Sequence, residues 1–374
     1  MINLFEPNIG VQSLENLSQV FSSKWLGRGD LVNVFEEKLK DFMILDNNLH
    51  TVSSCSEAII GSFELFDFKQ DDEIIIPTNS FPIITSGAVL KGLKPVIVDI
   101  DPVTGNIDFE SCRKALTAKT KAIYITHYGG IPVDVQKLKK YIGVDILVLE
   151  DSACALGTFI DNQCVGANAD FSCWSFDAMK LLVCGEGGAF YMKDPERFER
   201  ACEYFYLGLP KNKKSGMDSA KDNANWWEYD LKRIGVRSIF TNINAAIGLP
   251  ELEKLKIYLD RKSYIASQYD SKLNSDLISH RNVLFKENVS YSNYFYTIKT
   301  DKRDELARYL LNKNIYTSLR YSPMHKMGLF KNYSNGKFLG SEDFYTKSLN
   351  IPIHQNLGDQ DLDFIINSIN TFFE

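Results

Sequence analysis

The sequence predicts an α/β fold: a large domain with a mostly parallel, seven-stranded-type sheet flanked by helices, and a smaller C-terminal α+β domain. Three observations carry this prediction. Short Ile- and Val-rich runs recur from about residue 74 to 191. They are continuous rather than alternating, which marks strands covered on both faces. Helix-like segments separate them, and strand–helix alternation implies parallel strands joined by crossover helices.

The strand runs are, in order, Ile74-Ile75-Ile76 ending at Pro77, Val96-Ile97-Val98, Ala122 to Ile125, Ile146 to Leu149, Phe171 to Phe176, and Ala189-Phe190-Tyr191. Ser56 to Phe66 and Val135 to Tyr141 read as helices between them. Three strand ends are polar: Thr78-Asn79-Ser80, His127, and Glu150-Asp151. Ligands of parallel sheets bind beyond the carboxyl ends of the strands, so this clustering favours a site there. Residues 209–224 (LPKNKKSGMDSAKDNA) read as a polar surface loop, with Lys211, Lys213 and Lys214 as a solvated run or anion contacts. The pattern changes after Pro250. Leu252 to Tyr269 reads as a long helix, Ser292 to Lys299 as a strand, Asp304 to Leu311 as a helix, and Asp361 to Phe373 as an amphipathic terminal helix. The division is therefore a large domain, 1–250, and a small domain, 251–374, with the N-terminal segment expected against the small one.

The chain has 374 residues, enough for two domains at about 150 residues each. With 44% hydrophobic and 24% charged residues it is globular rather than disordered. A net charge of −6 argues against a general nucleic-acid binder. No run approaches the ~20 apolar residues of a membrane span. Seven cysteines, an odd number without Cys-x-x-Cys or zinc-ligand spacing, read as reduced thiols of a cytoplasmic protein with no metal site.

Several residues suggest chemistry, each with a plainer alternative. Asp151 follows a buried strand and is a helix cap or a paired carboxylate. Lys180 lies among Ala178, Met179, Leu181, Leu182 and Val183. There it snorkels, or desolvation lowers its pKa and makes the amine a nucleophile. Ser54-Cys55-Ser56 opens a helix, as a cap or a phosphate site. Phe81 is core, or a platform for a flat ring.

The order of these pieces is more specific. Helix start, aromatic, Asp after a strand, then Ser175-x4-Lys180 resembles the pyridoxal-phosphate enzymes of the aspartate-aminotransferase fold (fold type I). More closely, the chain resembles the DegT/DnrJ/EryC1/StrS sugar aminotransferases through TVSSCSEAI, DEIIIPTNSF, HYGGIPVD, LEDSACALG, VGANADFSCWSFDAMKLLVCGEGG, TNINAAIGLPELEKL and SLNIPIHQNL. The resemblance spans about residues 20 to 360. It implies pyridoxal 5'-phosphate carried by Lys180, which also shuttles a proton, with Asp151 paired to the pyridinium nitrogen. It further implies Ser175 and the backbone of Cys55 and Ser56 on the cofactor phosphate, and Phe81 stacked on the ring. The reaction implied is transfer of an amino group, usually from glutamate, to a keto-deoxysugar carried on a nucleotide, in a homodimer with shared active sites. His127 and His325 are placed near the substrate, while His354 reads as structural.

Three departures stand out. Cys55 replaces a usual glycine. Cys154 stands where Gln or His usually contacts the cofactor ring hydroxyl. In Gly235-Val236-Arg237-Ser238-Ile239-Phe240-Thr241-Asn242, the usual arginine is Ile239, and Arg237 is expected to reach the cofactor phosphate of the partner subunit. Lys180 favours transamination over the dehydration that a histidine in its place would run. Another reaction on the same fold and a non-catalytic scaffold are the alternatives.

Overall fold

The computed structural model describes residues 1–143, 145–210, 225, 227, 228, 230–278, 288–334 and 336–374. The first half contains α1 (Val11–Ser23), α2 (Asp30–Met43), β1 (Leu49–Val52), α3 (Cys55–Ser62), β2 (Glu73–Pro77), α4 (Ile83–Leu90), β3 (Lys94–Val98), α5 (Phe109–Ala115), β4 (Thr120–Thr126), α6 (Val135–Ile142) and β5 (Leu147–Asp151). It continues with β6 (Phe159–Ile160), β7 (Gln163–Cys164), β8 (Phe171–Ser175), β9 (Gly188–Tyr191) and α7 (Pro195–Phe205). The remainder is α8 (Asn242–Lys272), α9 (Ser275–Ile278), β10 (Val289–Ser290), β11 (Tyr296–Lys299), α10 (Arg303–Asn312), α11 (Leu339–Lys347), β12 (Ser348–Ile351) and α12 (Asp359–Phe373).

Seven strands form the main sheet in the order β1-β9-β8-β5-β4-β2-β3. The β2–β3, β2–β4, β4–β5 and β5–β8 pairs are parallel, and β9 runs antiparallel to both β8 and β1. The continuous apolar runs follow from burial on both faces. Ile74, Ile76, Ala122, Tyr124 and Leu149 pack into one core layer, and Ile75, Ile123, Ile125 and Val148 into the other. Because β2, β4, β5 and β8 are parallel, the residues that end them (Thr78, His127, Asp151 and Ser175) emerge on one edge of the sheet. This edge is the floor of the site.

A separate core, with Ile265, Tyr269, Tyr296, Ile298, Leu349 and Ile351, joins the end of α8 to the β11–β12 hairpin and to α12. The α12 side chains Leu362, Ile365, Ile366 and Ile369 are buried in it, each stabilising by about 1.5–3 kcal/mol. The N-terminal segment closes on the same unit: Ile2 N donates to Asn314 O at 2.7 Å, and Tyr316 N to Ile2 O at 2.9 Å.

The structure moves the start of the long helix, expected after Pro250, back to Asn242. Helix α8 starts at a capping box, in which Thr241 Oγ1 accepts from Asn244 N and Asn244 Oδ1 from Thr241 N. It then runs unbroken for 31 residues. A proline inside a helix orphans the carbonyl four residues earlier, here Ala246. Asn16 Nδ2 of α1 donates to that oxygen at 3.3 Å, and Ser13 Oγ donates to Ile247 O at 3.2 Å. A distant helix thus supplies the donors that proline withholds.

His354 lies buried at the edge of the small unit. Burial holds its imidazole well below the usual value, at about 4, with Lys262 pushing the same way. Unfolded, the ring takes its proton near 6.5. Between these values the unfolded chain binds a proton that the folded chain does not, so stability falls as pH drops from about 6.5 toward 4. His354→Gln removes this linkage. Its unfolding free energy is expected to fall less between pH 7.5 and 5 than the wild type's, by up to about 2 kcal/mol, read from denaturant titrations at the two pH values. Parallel pH profiles would refute this role.

Candidate active site

A cavity of about 290 Å³ opens at the carboxyl edge of the sheet. Its walls include Ser54, Cys55, Ser56, Phe81, Asp151, Ser175 and Lys180. Six of the predicted cofactor residues, the predicted catalytic lysine among them, therefore meet in one place, drawn from four separate chain segments.

One end is the start of α3. Ser54 is its N-cap, and its Oγ accepts from Glu57 N at 3.2 Å. The first helical bond runs from Ala58 N to Ser54 O, so the amides of Cys55 and Ser56 precede the ladder and remain for an anion. The turn is held against β9: a Cβ added to Gly188 would lie 2.5 Å from Cys55 N, so only glycine permits the approach. Below it, the Cys55 and Cys173 sulfurs are 3.6 Å apart. With an Asp151 oxygen, their atoms fall within 4.8 Å of one another, a grouping that spacing along the chain does not reveal.

Asp151 ends β5, in register with Thr126 of β4 and Cys173 of β8. Its Oδ1 accepts from Ala153 N at 3.0 Å. Burial raises its pKa, against the lowering effect of that bond, Lys180 and His127. A buried carboxylate so placed favours any cationic partner in the cavity.

Lys180 is set by a tight turn after β8. Asp177 N donates to Ser175 Oγ at 3.4 Å, Asp177 Oδ1 accepts from Met179 N at 3.0 Å, and Lys180 N donates to Asp177 O at 2.9 Å. The following Glu186-Gly187-Gly188 turn is tied to α8, where Asn244 Nδ2 donates to Glu186 O at 2.9 Å. Lys180 Nζ sits 3.8 Å from Cys154 Sγ and 4.8 Å from the centre of the Tyr294 ring. The expected depressed pKa is not found. Burial does act to lower the amine, but Cys154, Tyr294, Tyr321 and Asp151 outweigh it and hold it above its usual value. Burial pushes up the Cys154 thiol and the two phenols, Tyr294 to about 12. They are therefore neutral near pH 7. The resting amine is an ammonium, and it becomes a nucleophile only after giving up a proton.

Phe81 is exposed at the cavity mouth, its ring 5.7 Å from that of Tyr321. Cys154 is buried behind Lys180, its carbonyl accepting from Ser292 Oγ at 2.8 Å. Arg237 is exposed, outside this cavity, with its guanidinium 6.0 Å from the Tyr206 ring.

The two histidines are not brought to the site. His127 is fully buried beneath it: Nε2 lies 2.9 Å from Glu150 Oε2, and Nδ1 accepts from Val133 N at 2.9 Å. Both ring nitrogens serve the fold. His325 has Nδ1 2.8 Å from Thr78 Oγ1, and its ring is stacked on Phe338 at 4.0 Å. It pins the segment carrying Tyr321 and lines no part of the cavity. The three lysines of the polar loop lie outside the described residues. Sequence reasoning missed Tyr294, Arg320 and Tyr321, which form the wall contributed from beyond residue 290. Their only local signal was the density of aromatic and basic residues in YSNYFY and SLRYSPMH.

These residues fit pyridoxal phosphate. The free amides and Ser175 suit its phosphate, Asp151 its ring nitrogen, and Lys180 its aldehyde, while the Cys55 side chain turns away toward Cys173.

The family model for the DegT/DnrJ/EryC1/StrS aminotransferase family matches residues 7–370. The chain is 34% identical over 368 residues to the dTDP-4-dehydro-2,3,6-trideoxy-D-glucose 4-aminotransferase of Saccharopolyspora spinosa, covering 97% of this chain and 94% of that one. It is 27% identical to the GDP-perosamine synthase of Escherichia coli O157:H7, over 100% and 98% of the two chains. Among solved structures, the aminotransferase TlmJ from Streptoalloteichus hindustanus superposes with a TM-score of 0.88 at 32% identity, covering 100% of this chain and 99% of TlmJ.

Proposed function

The chain belongs to the DegT/DnrJ/EryC1/StrS aminotransferase family, and from that premise we propose that it moves the amino group of L-glutamate onto a keto-deoxysugar linked to a nucleoside diphosphate. It is a pyridoxal-phosphate-dependent aminotransferase of the sugar type. The observation carrying the finer reading is the convergence of Lys180, Asp151 and the α3 N-terminus on one cavity. The relatives' names supply the acceptor class, a sugar on dTDP in one and on GDP in another.

When bound, the cofactor supplies an electron sink for the pair left as a substrate C–H bond breaks, and accepts the amino group. Lys180 would hold it and, once released, would take the proton from the substrate carbon that carries the amino group. The Cys55 and Ser56 amides, with Ser175, would bind its phosphate. Asp151 would keep the ring nitrogen protonated, a buried carboxylate favouring a cation there. Phe81 and Tyr321 cover the mouth and limit water. Arg237, exposed and outside its own cavity, is assigned to the partner's site in a cytoplasmic homodimer.

The test is an absorbance screen. Protein treated with glutamate should lose its aldehyde-form band, and one class of nucleotide-linked keto-sugar should restore it. A protein whose spectrum glutamate leaves unchanged, or that eliminates water from the sugar instead, would refute the reading.

A further inference from the structure

We propose that Arg320 is the anion-recognising residue of the cavity, and that it takes the α-carboxylate of the amino donor. This rests on the aminotransferase reading above and names the contact that makes its first substrate fit.

Arg320 lines the same cavity as Lys180. Its backbone is fixed by two buried asparagines: Arg320 N donates to Asn350 Oδ1 at 3.1 Å, and Tyr321 N to Asn79 Oδ1 at 3.2 Å. Its guanidinium lies over Phe5, 5.2 Å from the ring centre. Phe5 is itself stacked on Tyr294 at 5.1 Å, the ring that covers the Lys180 amine. The N-terminal segment thus provides a flat support that links the two cations of the cavity.

The fork is left under-used. Among the described residues no carboxylate pairs with Arg320. Its Nη2 has Met179 Sδ at 3.4 Å, and a thioether is a weak acceptor. Stacking occupies the face of a guanidinium and leaves its N–H edges for a planar oxyanion. The lining also carries Asp151, Asp177 and Glu186. A dicarboxylate entering past three carboxylates needs a cation not already engaged, and Lys180 is committed to the cofactor. Position 239, where the family resemblance expects arginine, is Ile239.

A carboxylate and a nucleotide phosphate share the chemistry that a guanidinium recognises. Position favours the carboxylate. It is bonded to the carbon that carries the reacting amine, so its partner must sit beside Lys180. Arg320 touches Met179, the residue before Lys180. The diphosphate of an acceptor is separated from the reacting carbon by the sugar ring.

The two half-reactions separate the sources. With holoenzyme, Arg320→Gln should raise the half-saturating glutamate concentration roughly 10- to 100-fold, the worth of a charge-assisted contact. It should leave the half-saturating keto-sugar concentration within about twofold, with Arg320→Lys intermediate. Calorimetric binding of 2-oxoglutarate should weaken in parallel. Unchanged glutamate and 2-oxoglutarate binding would overturn the proposal, and so would a loss confined to the sugar arm, which would assign Arg320 to the carrier phosphate. If the wild type reacts with another α-amino acid instead of glutamate, only the donor's identity changes, and Arg320→Gln must then weaken that donor. If no α-amino acid reacts, both readings fall.

Discussion

Lys180→Ala is expected to abolish turnover while leaving the fold intact. Lys180 leaves the sheet on a turn built from Ser175, Asp177 and backbone groups, none of which needs its side chain. Truncation removes a buried ammonium whose partners stay paired elsewhere: Asp151 keeps Ala153 N, and Tyr294 Oη keeps Met179 O at 3.3 Å. The loss should therefore fall on chemistry. A single proton-transferring side chain contributes about 10²–10⁴-fold, and the proposal has Lys180 hold the cofactor as well, so activity should drop below detection. Borohydride reduction followed by peptide mapping should label the peptide containing residue 180 in the wild type and leave the variant unlabelled. Normal turnover in the variant, or a label on another lysine such as Lys262, would end the assignment. Lys262 is the buried amine to watch. Burial lowers it to about 7, and its Nζ lies 5.7 Å from the centre of the Tyr294 ring.

Much of this site was legible because parallel strands expose their ends together. Thr78, His127 and Asp151 are far apart in the chain, yet polarity placed each at a strand end, and the sheet does the rest; Ser175, inside an apolar run, was reached only through the resemblance. What local sequence conveys poorly is who the neighbours are. Lys180 sits in an apolar run, and in the fold it is half-buried. The sign of its pKa shift depends on Cys154, Tyr294 and Asp151, brought in from 26 to 114 residues away. His127 looked like a site residue because it ends a strand; its ring turns under the sheet edge to Glu150. Pro250 looked like a boundary because the donors that repair the helix lie in α1, more than 200 residues earlier. Arg320 and Tyr321 lie outside any helix or strand, so no periodicity marks them. Two buried asparagines from opposite ends of the chain hold them at the cavity.

Asp151→Asn is expected to retain the structure and lose rate by about 10²–10³-fold, the size of one preorganised electrostatic partner. The substitution is nearly isosteric. Asparagine's oxygen can still accept from Ala153 N, so the local turn after β5 survives. What disappears is a negative charge placed where burial already makes charge costly. A site that keeps an expensive carboxylate has a use for it, and the use we propose is to favour a proton on the cofactor's ring nitrogen. Without that charge the ring would be neutral near pH 7, and the electron pair released at the substrate carbon would have a poorer sink. The defect should fall on kcat in both half-reactions alike, because both break a C–H bond against the same sink. It should differ from that of Arg320→Gln, which concerns one substrate only. Equal kcat in wild type and Asp151→Asn would show that ring protonation does not depend on this carboxylate. A loss confined to cofactor affinity, recovered fully by excess pyridoxal phosphate, would make Asp151 a binding residue and remove it from the chemistry.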